Sequence, residues 1–309
     1  MSFGVYEQVT PYLKSLPHSF GALFDFILDR LETDHGEEFV RVVLSYIAVS
    51  EHGILENDLV QVVESYAYEE SRRSTFARLY NSIQVFVTAG AAGVLRVIYA
   101  PIRKAIEKRY LAQLTTAQSF HSGLVTYYML AADPESDASF SADSTAAMNA
   151  LPGHVLAAKG PSGLEQLFLS PGFLRAKIAS DSCGALVRDL KMLPAAGFPL
   201  VRQLLKIINN NFGLLNDEPA TLPFHLMTKL VVLKDQDAGA KQVYDESRRL
   251  CTEYYPPTAL GFKPIEVLDE PEVVVDDDAS DMDGADSGVR PPPSLGELHS
   301  YGGLLVVYR

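Results

Sequence analysis

The stretch STFARLYNSIQVFVTAGAAGVLRVI, residues 74–98, contains a change of hydrophobic period that decides the fold of the N-terminal part of the chain. Residues 74–83 have a helical pattern, whereas 84–87 and 94–98 are short runs of β-prone residues. The segment between these runs, TAGAAG at 88–93, is rich in turn-forming residues. The stretch therefore predicts a helix followed by a β-hairpin.

Three more helices are predicted before this stretch. Residues 19–35 repeat apolar side chains at helical spacing, with Ser19 as the N-cap and Gly36 as the C-terminal stop. Residues 37–49 repeat the pattern and open with two acids, which the helix dipole favours. Residues 54–66 form the third helix. Three helices and a hairpin are the elements of a winged helix.

The rest of the body is predicted to be helical. Pro101 suits the first turn of a helix after the hairpin, and residues 133–149 are polar and predict a loop. The further predicted helices cover residues 115–131, 152–159, 163–169, 171–180, 182–192, 198–211, 221–233 and 237–254. The sequence thus predicts a mainly α fold in three parts. These are a winged-helix domain (1–111), an α-helical array (112–255) and an acidic, Pro/Gly-containing, largely disordered tail (256–309).

Charge is concentrated in the tail. The chain has a formal net charge of −13, and ten of its acids lie between residues 264 and 289, where there is no Lys or Arg. Without these ten acids the remainder carries −3, so the body is nearly neutral. A general nucleic-acid binder needs clustered basic residues, which argues against that class.

Cysteine content and apolar run length indicate the compartment. Two cysteines cannot build a disulfide framework, which favours a reducing environment. The N-terminus has no basic segment followed by an apolar one, and no apolar run approaches the ~20 residues that span a bilayer. We therefore expect a cytoplasmic protein that does not bind membranes.

Several short motifs follow one another in an order seen elsewhere. They are LDRLETDHG at 28–36, GILENDL at 53–59, VIYAPIRKAIEKRYL at 97–111, HSGL at 121–124, LPGHVL at 151–156, and FLRAK at 173–177 with LVRDL at 186–190. Their order resembles the winged-helix and helical region that follows the nucleotide-binding domain in STAND-class (NACHT/NB-ARC) NTPases with WD40 or TPR tails. The most similar groups are the telomerase-associated-protein-like and nephrocystin-like ones.

The resemblance also has departures. Ala100 stands where the family often has a histidine, and no nucleotide-binding half or WD40 or TPR array accompanies the motifs. The resemblance implies a lever or packing surface without chemistry of its own. It also implies protein partners, among them a nucleotide-binding chain or a WD40/TPR protein.

No motif for catalysis or for cofactor or metal binding is present. There is no GxxxxGK[ST], GxSxG, HExxH or CxxC, and GPSG at 160–163 predicts a turn between helices. The seven histidines do not pair at metal-ligand spacing. His121 has two readings, a sensor-like nucleotide contact or a packing side chain, and the missing P-loop favours packing. Cys183 and Cys251 are expected to be buried small hydrophobes. We expect no enzyme activity.

A basic and aromatic surface is the candidate binding site. Its residues are Arg103, Lys104, Lys108, Arg109, Tyr127 and Tyr128. DNA binding is disfavoured, because the predicted third helix, 54–66, carries Glu56, Asp58 and Glu64 and no basic residue. A protein contact is the better account of the basic face.

The sequence therefore favours a non-catalytic protein-interaction or regulatory module. The alternative is a fragment of, or partner chain to, an ATP-hydrolysing signalling NTPase whose P-loop is outside this sequence. An enzyme with a site that has no recognisable motif, and a transcription factor, are the other classes considered.

Overall fold

The computed structural model describes residues 16–64, 72–90, 93–141, 144–194, 196–254, 299–301 and 304–306. It is mainly helical, as predicted. Residues Met1–Gly261 form one compact unit and Phe262–Arg309 a second. The predicted boundary between residues 111 and 112 stays a prediction.

The first unit begins with helices and a small sheet. Its elements are α1 (Phe20–His35), α2 (Glu37–Val49), β1 (Ile54–Leu55), α3 (Glu56–Glu64), α4 (Arg72–Ile83), β2 (Val87–Ala89), β3 (Val94–Val97) and α5 (Ala100–Tyr110). The side chain of Ser19 caps α1 by accepting from the Ala22 amide at 3.2 Å. Gly36, at φ +92°, separates α1 from α2. The predicted cap and stop of this helix are confirmed.

The helical array follows in the same unit. Its elements are α6 (Leu114–Ala132), α7 (Thr145–Phe168), α8 (Pro171–Ser180), α9 (Cys183–Leu190), α10 (Pro199–Asn210), α11 (Phe212–Asp217), a 3₁₀ turn (Pro219–Thr221), α12 (Leu222–Leu230) and α13 (Ala238–Tyr254). The second unit contains the strands β4 (His299–Tyr301) and β5 (Leu304–Val306), which pair antiparallel.

The small sheet has three antiparallel strands in the order β1-β3-β2. The hairpin of β2 and β3 is confirmed, but the predicted bounds of its first strand are wrong: β2 covers Val87–Ala89 and not 84–87, and Thr88, predicted in the turn, pairs with Arg96. The strand β1 was not predicted, and the third helix begins at Glu56 instead of residue 54. Gly53 precedes β1 at φ +90°, where a Cβ atom would lie 2.8 Å from the Leu95 carbonyl oxygen. A glycine is therefore needed for β1 to reach the sheet.

The helices and the hairpin follow one another in the predicted order, and this order bears on the prediction about DNA. The helix directly before the hairpin is α4, and the acidic helix α3 comes one element earlier. Arg78 on α4 is exposed. The acidity of α3 therefore does not decide whether the helix next to the hairpin contacts nucleic acid, and the absence of a nucleic-acid partner stays a prediction.

Helix α2 lies at the centre of the N-terminal core. Residues 42–48 are all buried on it, including Tyr46 at 0% exposure. Its neighbours α1, α5 and α6 pack around it, so the apolar core runs without a break from the N-terminal elements into the array. Burial of a large apolar side chain stabilises a fold by about 1.5–3 kcal/mol.

Helix α7 contains the predicted turn at GPSG. Gly160 has φ +71° and ψ −171°, which interrupts the helical backbone before Pro161. The polar segment 133–149 is a loop only in its first part, because Ser144 caps α7 and the helix begins at Thr145. Predicted helix 171–180 is confirmed, whereas the short α11 was not predicted.

The predicted tail, 256–309, lies mostly outside the described residues. The strand at Leu304–Val306 agrees with the short apolar run at the end of the chain. Among the described residues, none of the helices combines the length and apolarity that a membrane span requires.

Candidate functional site at the helix α6 junction

Helix α6 joins the N-terminal elements to the array. It packs on α2 and α3 on one side and along α7 on the other. Phe120, Leu124 and Tyr128 recur every fourth residue and are buried, which gives α6 one continuous inward face. Phe120 meets the ring of Tyr46 edge-on, with ring centres 5.0 Å apart.

Gly123 permits the close approach of α6 and α2. A Cβ atom at this position would lie 2.6 Å from the Tyr46 hydroxyl oxygen. A larger residue fits only if the Tyr46 side chain or one of the two helices shifts. The small residue in the segment HSGL thus has a packing role.

Tyr127 connects the junction to α3. Its hydroxyl oxygen lies 2.9 Å from Asp58 Oδ1 and 3.2 Å from Gln61 Oε1. Burial raises the pKa of Asp58, and hydrogen bonds from Tyr127 and Tyr128 partly offset that rise. Burial also raises the pKa of Tyr127, and its hydrogen bond to Asp58 adds to the effect. The Tyr127 hydroxyl therefore stays a neutral hydrogen-bond donor toward Asp58.

Tyr128, next to Tyr127, reaches both Asp58 of α3 and His154 of α7. Its side chain is 3% exposed, and its ring lies nearly parallel to the His154 ring of α7 at 6.0 Å. His154 in turn places its Nδ1 atom 2.9 Å from Nδ1 of His121. Burial lowers the pKa of both histidines, to about 4 for His154, where the charge of His121 contributes as well. Both rings are therefore neutral near pH 7.

The basic residues of the candidate surface divide into two groups. Arg109 pairs with Glu32 and with Asp29 of α1, each at 2.6 Å. Arg103 donates to the Ala48 carbonyl oxygen near the end of α2 at 2.6 Å and pairs with Glu107. These two arginines hold α5 against α1 and α2.

The two lysines of the surface have a different setting. Lys104 and Lys108 are exposed and lie one turn apart on α5. Neither forms an ion pair with any residue that the structure describes. Of the six candidate residues, these two present their charges to solvent, whereas partner binding itself stays a prediction for all six.

A buried lysine is a feature that sequence reasoning missed. Lys177 on α8 is 2% exposed, and its Nζ atom lies 3.0 Å from the Met148 carbonyl oxygen, 2.6 Å from Asn149 Oδ1 and 3.0 Å from Asp189 Oδ2. Burial raises the pKa of Asp189, against the opposing charge of Lys177. The ammonium group joins α7, α8 and α9. The residue stood within the FLRAK motif, but no spacing in the sequence indicated its partners.

The two cysteines and the potential metal ligands were also located in the structure. Cys183 is buried, as predicted, whereas the prediction is wrong for Cys251, which is half-buried; burial raises the pKa of both thiols. Within the described part of the chain there is no group of three His, Cys, Asp or Glu placed to hold a metal. The arrangement around α6 is thus one of packing and hydrogen bonding.

Comparisons with known proteins found distant relatives. The chain is 26% identical over 190 residues to Telomerase protein component 1 of Rattus norvegicus and to that of Mus musculus. The match covers 54% of this chain and 7% of each relative, so the chain spans a small part of the relatives' length. No protein-family profile matches the chain. No solved structure matches it either.

Proposed function

We propose that this chain is a non-catalytic protein-interaction module, related to the region that follows the nucleotide-binding domain of STAND-class NTPases. The likeness to Telomerase protein component 1 supports a role in a protein assembly, since that relative is by name a component of one. The order of the sequence motifs supports the finer STAND relationship.

We further infer that the N-terminal elements are a winged helix. Helices α2, α3 and α4 with the β1-β3-β2 sheet support this assignment, because they combine three helices with a hairpin wing; α4 here takes the place that the sequence prediction gave to the helix at 19–35. In this interpretation α6 holds the winged helix rigidly against the array. The close approach at Gly123 and the Tyr127–Asp58 hydrogen bond are the contacts that fix it. Such a body transmits the position of a bound partner without chemistry of its own.

The proposal depends mainly on one observation: four of the six candidate residues contact other residues of this chain, and two lysines remain exposed. Arg103, Arg109, Tyr127 and Tyr128 all bind within the chain. The exposed pair on α5, Lys104 and Lys108, is left to recruit an acidic surface of a partner protein.

Charge reversal on α5 tests this role. The variant Lys104→Glu/Lys108→Glu should lose the proteins that co-purify with the wild-type chain, measured by quantitative mass spectrometry. The matched control is Lys191→Glu/Lys206→Glu, which makes the same charge change at exposed positions of the array. Equal retention of every partner by both variants would refute the α5 surface.

The alternative is a part of, or partner chain to, an ATP-hydrolysing signalling NTPase with its P-loop elsewhere. The motif order along residues 28–190 favours it, because that order matches the region after a nucleotide-binding domain. An immunoblot of native cells separates the two cases. A band near 33.9 kDa supports the separate module, and a much larger band supports the NTPase.

A further inference from the structure

Two histidine rings on neighbouring helices face each other inside the junction. His121 of α6 and His154 of α7 have ring centres 5.2 Å apart and Nδ1 atoms 2.9 Å apart. The centre-to-centre distance equals the N···N distance plus about one ring radius on each side. The two Nδ1 atoms therefore point at each other along nearly one line.

This alignment decides between a hydrogen bond and a metal site. A metal on that line would need Nδ1 atoms about 4 Å apart, since each metal–nitrogen bond is about 2.0 Å long. A metal beside the line would need lone pairs that converge, which collinear nitrogens do not offer. A linear N–H···N hydrogen bond of 2.9 Å has the usual length.

The number of protons that the pair can hold follows from this geometry. A neutral imidazole has one N–H and one acceptor nitrogen, so one ring must carry its proton on Nδ1 and the other on Nε2. One added proton leaves the N–H···N bond intact, because it goes to the free Nε2 of the donor ring. A second added proton would place two N–H groups against each other.

Among the residues that the structure describes, none supplies a counter-charge bonded to either ring. Helix α6 itself contributes Tyr128, and α3 contributes Asp58, which is bonded to Tyr127. From α2, Arg41 lies over the Phe120 ring and pairs with Glu38. From α8, the Lys177 ammonium lies on the Met148 carbonyl and pairs with Asp189. No carboxylate among the described residues accepts a hydrogen bond from His121 or His154.

We infer that His121 and His154 form a hydrogen-bonded latch between α6 and α7, meaning a pair that accepts at most one added proton and that acid destabilises. The folded pair accepts at most one added proton, whereas the two histidines of the unfolded chain accept two. Folded pKa values lie below the unfolded value of about 6.5. Stability is then fully present above pH 6.5 and falls as the pH decreases toward 4. This property goes beyond the proposed interaction role and does not depend on it.

The first test reads the protons directly. In the full-length protein labelled with ¹⁵N-histidine, NMR at pH 7.5 should show one ring of the pair protonated on Nδ1 and the other on Nε2. The single variants His121→Phe and His154→Phe assign the two signals. Two rings that both carry their proton on Nε2 would overturn the inference, because neither could then donate along the Nδ1···Nδ1 line.

The second test measures the consequence for stability. Urea unfolding of the wild type between pH 6.5 and 4.5 should lose about one to two factors of ten more in the folding equilibrium per pH unit than the double variant His121→Phe/His154→Phe, because the unfolded pair takes up two protons and the folded pair at most one. The exposed His52 provides the control His52→Gln, which should keep the wild-type slope. Equal slopes for the wild type and the double variant would overturn the latch. If the double variant does not fold, the NMR measurement on the wild type still decides.

Discussion

The N-terminal elements and the helical array differ in how deeply a paired cationic side chain is buried. In the N-terminal elements the ionic contacts lie at the periphery, as in the Arg109 pairs, where the arginine side chain is 29% exposed. In the array the Lys177–Asp189 pair is enclosed, with side-chain exposures of 2% and 17%, whereas the Glu246–Arg249 pair of the same region lies at the surface. A surface ion pair contributes little to stability, whereas a buried one that loses a partner leaves an uncompensated charge. Breaking the Lys177–Asp189 pair is therefore expected to cost more stability than breaking the Arg109 pairs.

The sharpest test of this difference removes the buried ammonium. The variant Lys177→Met should lose about 3 kcal/mol of unfolding free energy in urea at pH 7, because Asp189 and the Met148 carbonyl lose their partner. The control Lys159→Met makes the same change at an exposed position of α7 and should stay within about 0.5 kcal/mol. The double variant Lys177→Met/Asp189→Leu should recover part of the loss. If Lys177→Met and Lys159→Met lower the unfolding free energy equally, the buried position of Lys177 has no special effect on stability.

A second test concerns packing at the boundary between the two regions. The variant Gly123→Ala should lose about 1–3 kcal/mol, because the new methyl group meets the Tyr46 hydroxyl. The matched change Gly153→Ala on α7 meets nothing within 4 Å and should gain up to about 1 kcal/mol from helix propensity. Thermal unfolding measures both. Stabilisation of the Gly123 variant would mean that α6 and α2 are not in close contact.

A third test addresses the Tyr127–Asp58 hydrogen bond. The variant Tyr127→Phe should lose about 1–2 kcal/mol at pH 7, because the half-buried carboxyl group of Asp58 loses a hydrogen-bond donor. The raised folded pKa of Asp58 means that its ionised form costs stability above that pKa. The Tyr127 hydrogen bond offsets part of this cost in the wild type, and the variant lacks that bond. Because the cost itself disappears as the pH falls below the unfolded pKa of 3.8, the variant should approach the wild type in acid.

Urea unfolding at pH 7 and in acid measures the effect of Tyr127→Phe. The control Tyr99→Phe alters a tyrosine that is 54% exposed and should have little effect at either pH. A loss that is independent of pH would show that Asp58 is not the partner that matters.

The smallest expected effect is at the periphery of the N-terminal elements. The variant Arg109→Met should lose about 0.5–1 kcal/mol in low salt, because its pairs with Glu32 and Asp29 are partly solvated. The difference from the wild type should shrink in 1 M NaCl, where the screening length is about 3 Å. A loss as large as that of Lys177→Met would make the two regions alike.

Local sequence patterns determined most of the helices of this protein. Residues 37–49 and 171–180 were predicted with the bounds that the structure has, and the backbone break at Gly160 follows from GPSG. These features depend on side-chain period, capping and backbone freedom over a few neighbouring residues. The strand β1 was missed because its two residues pair only when β3 is beside them.

Tertiary structure alone decided the candidate site. His121 and His154 are 33 positions apart, and Lys177 lies 12 residues before Asp189, separations at which no helical or strand period operates. Whether Arg109 faces solvent or Glu32 depended on how α5 packs on α1. Hydrophobic periodicity indicates which face of a helix is buried, whereas partners across helices depend on the packing of all of them together.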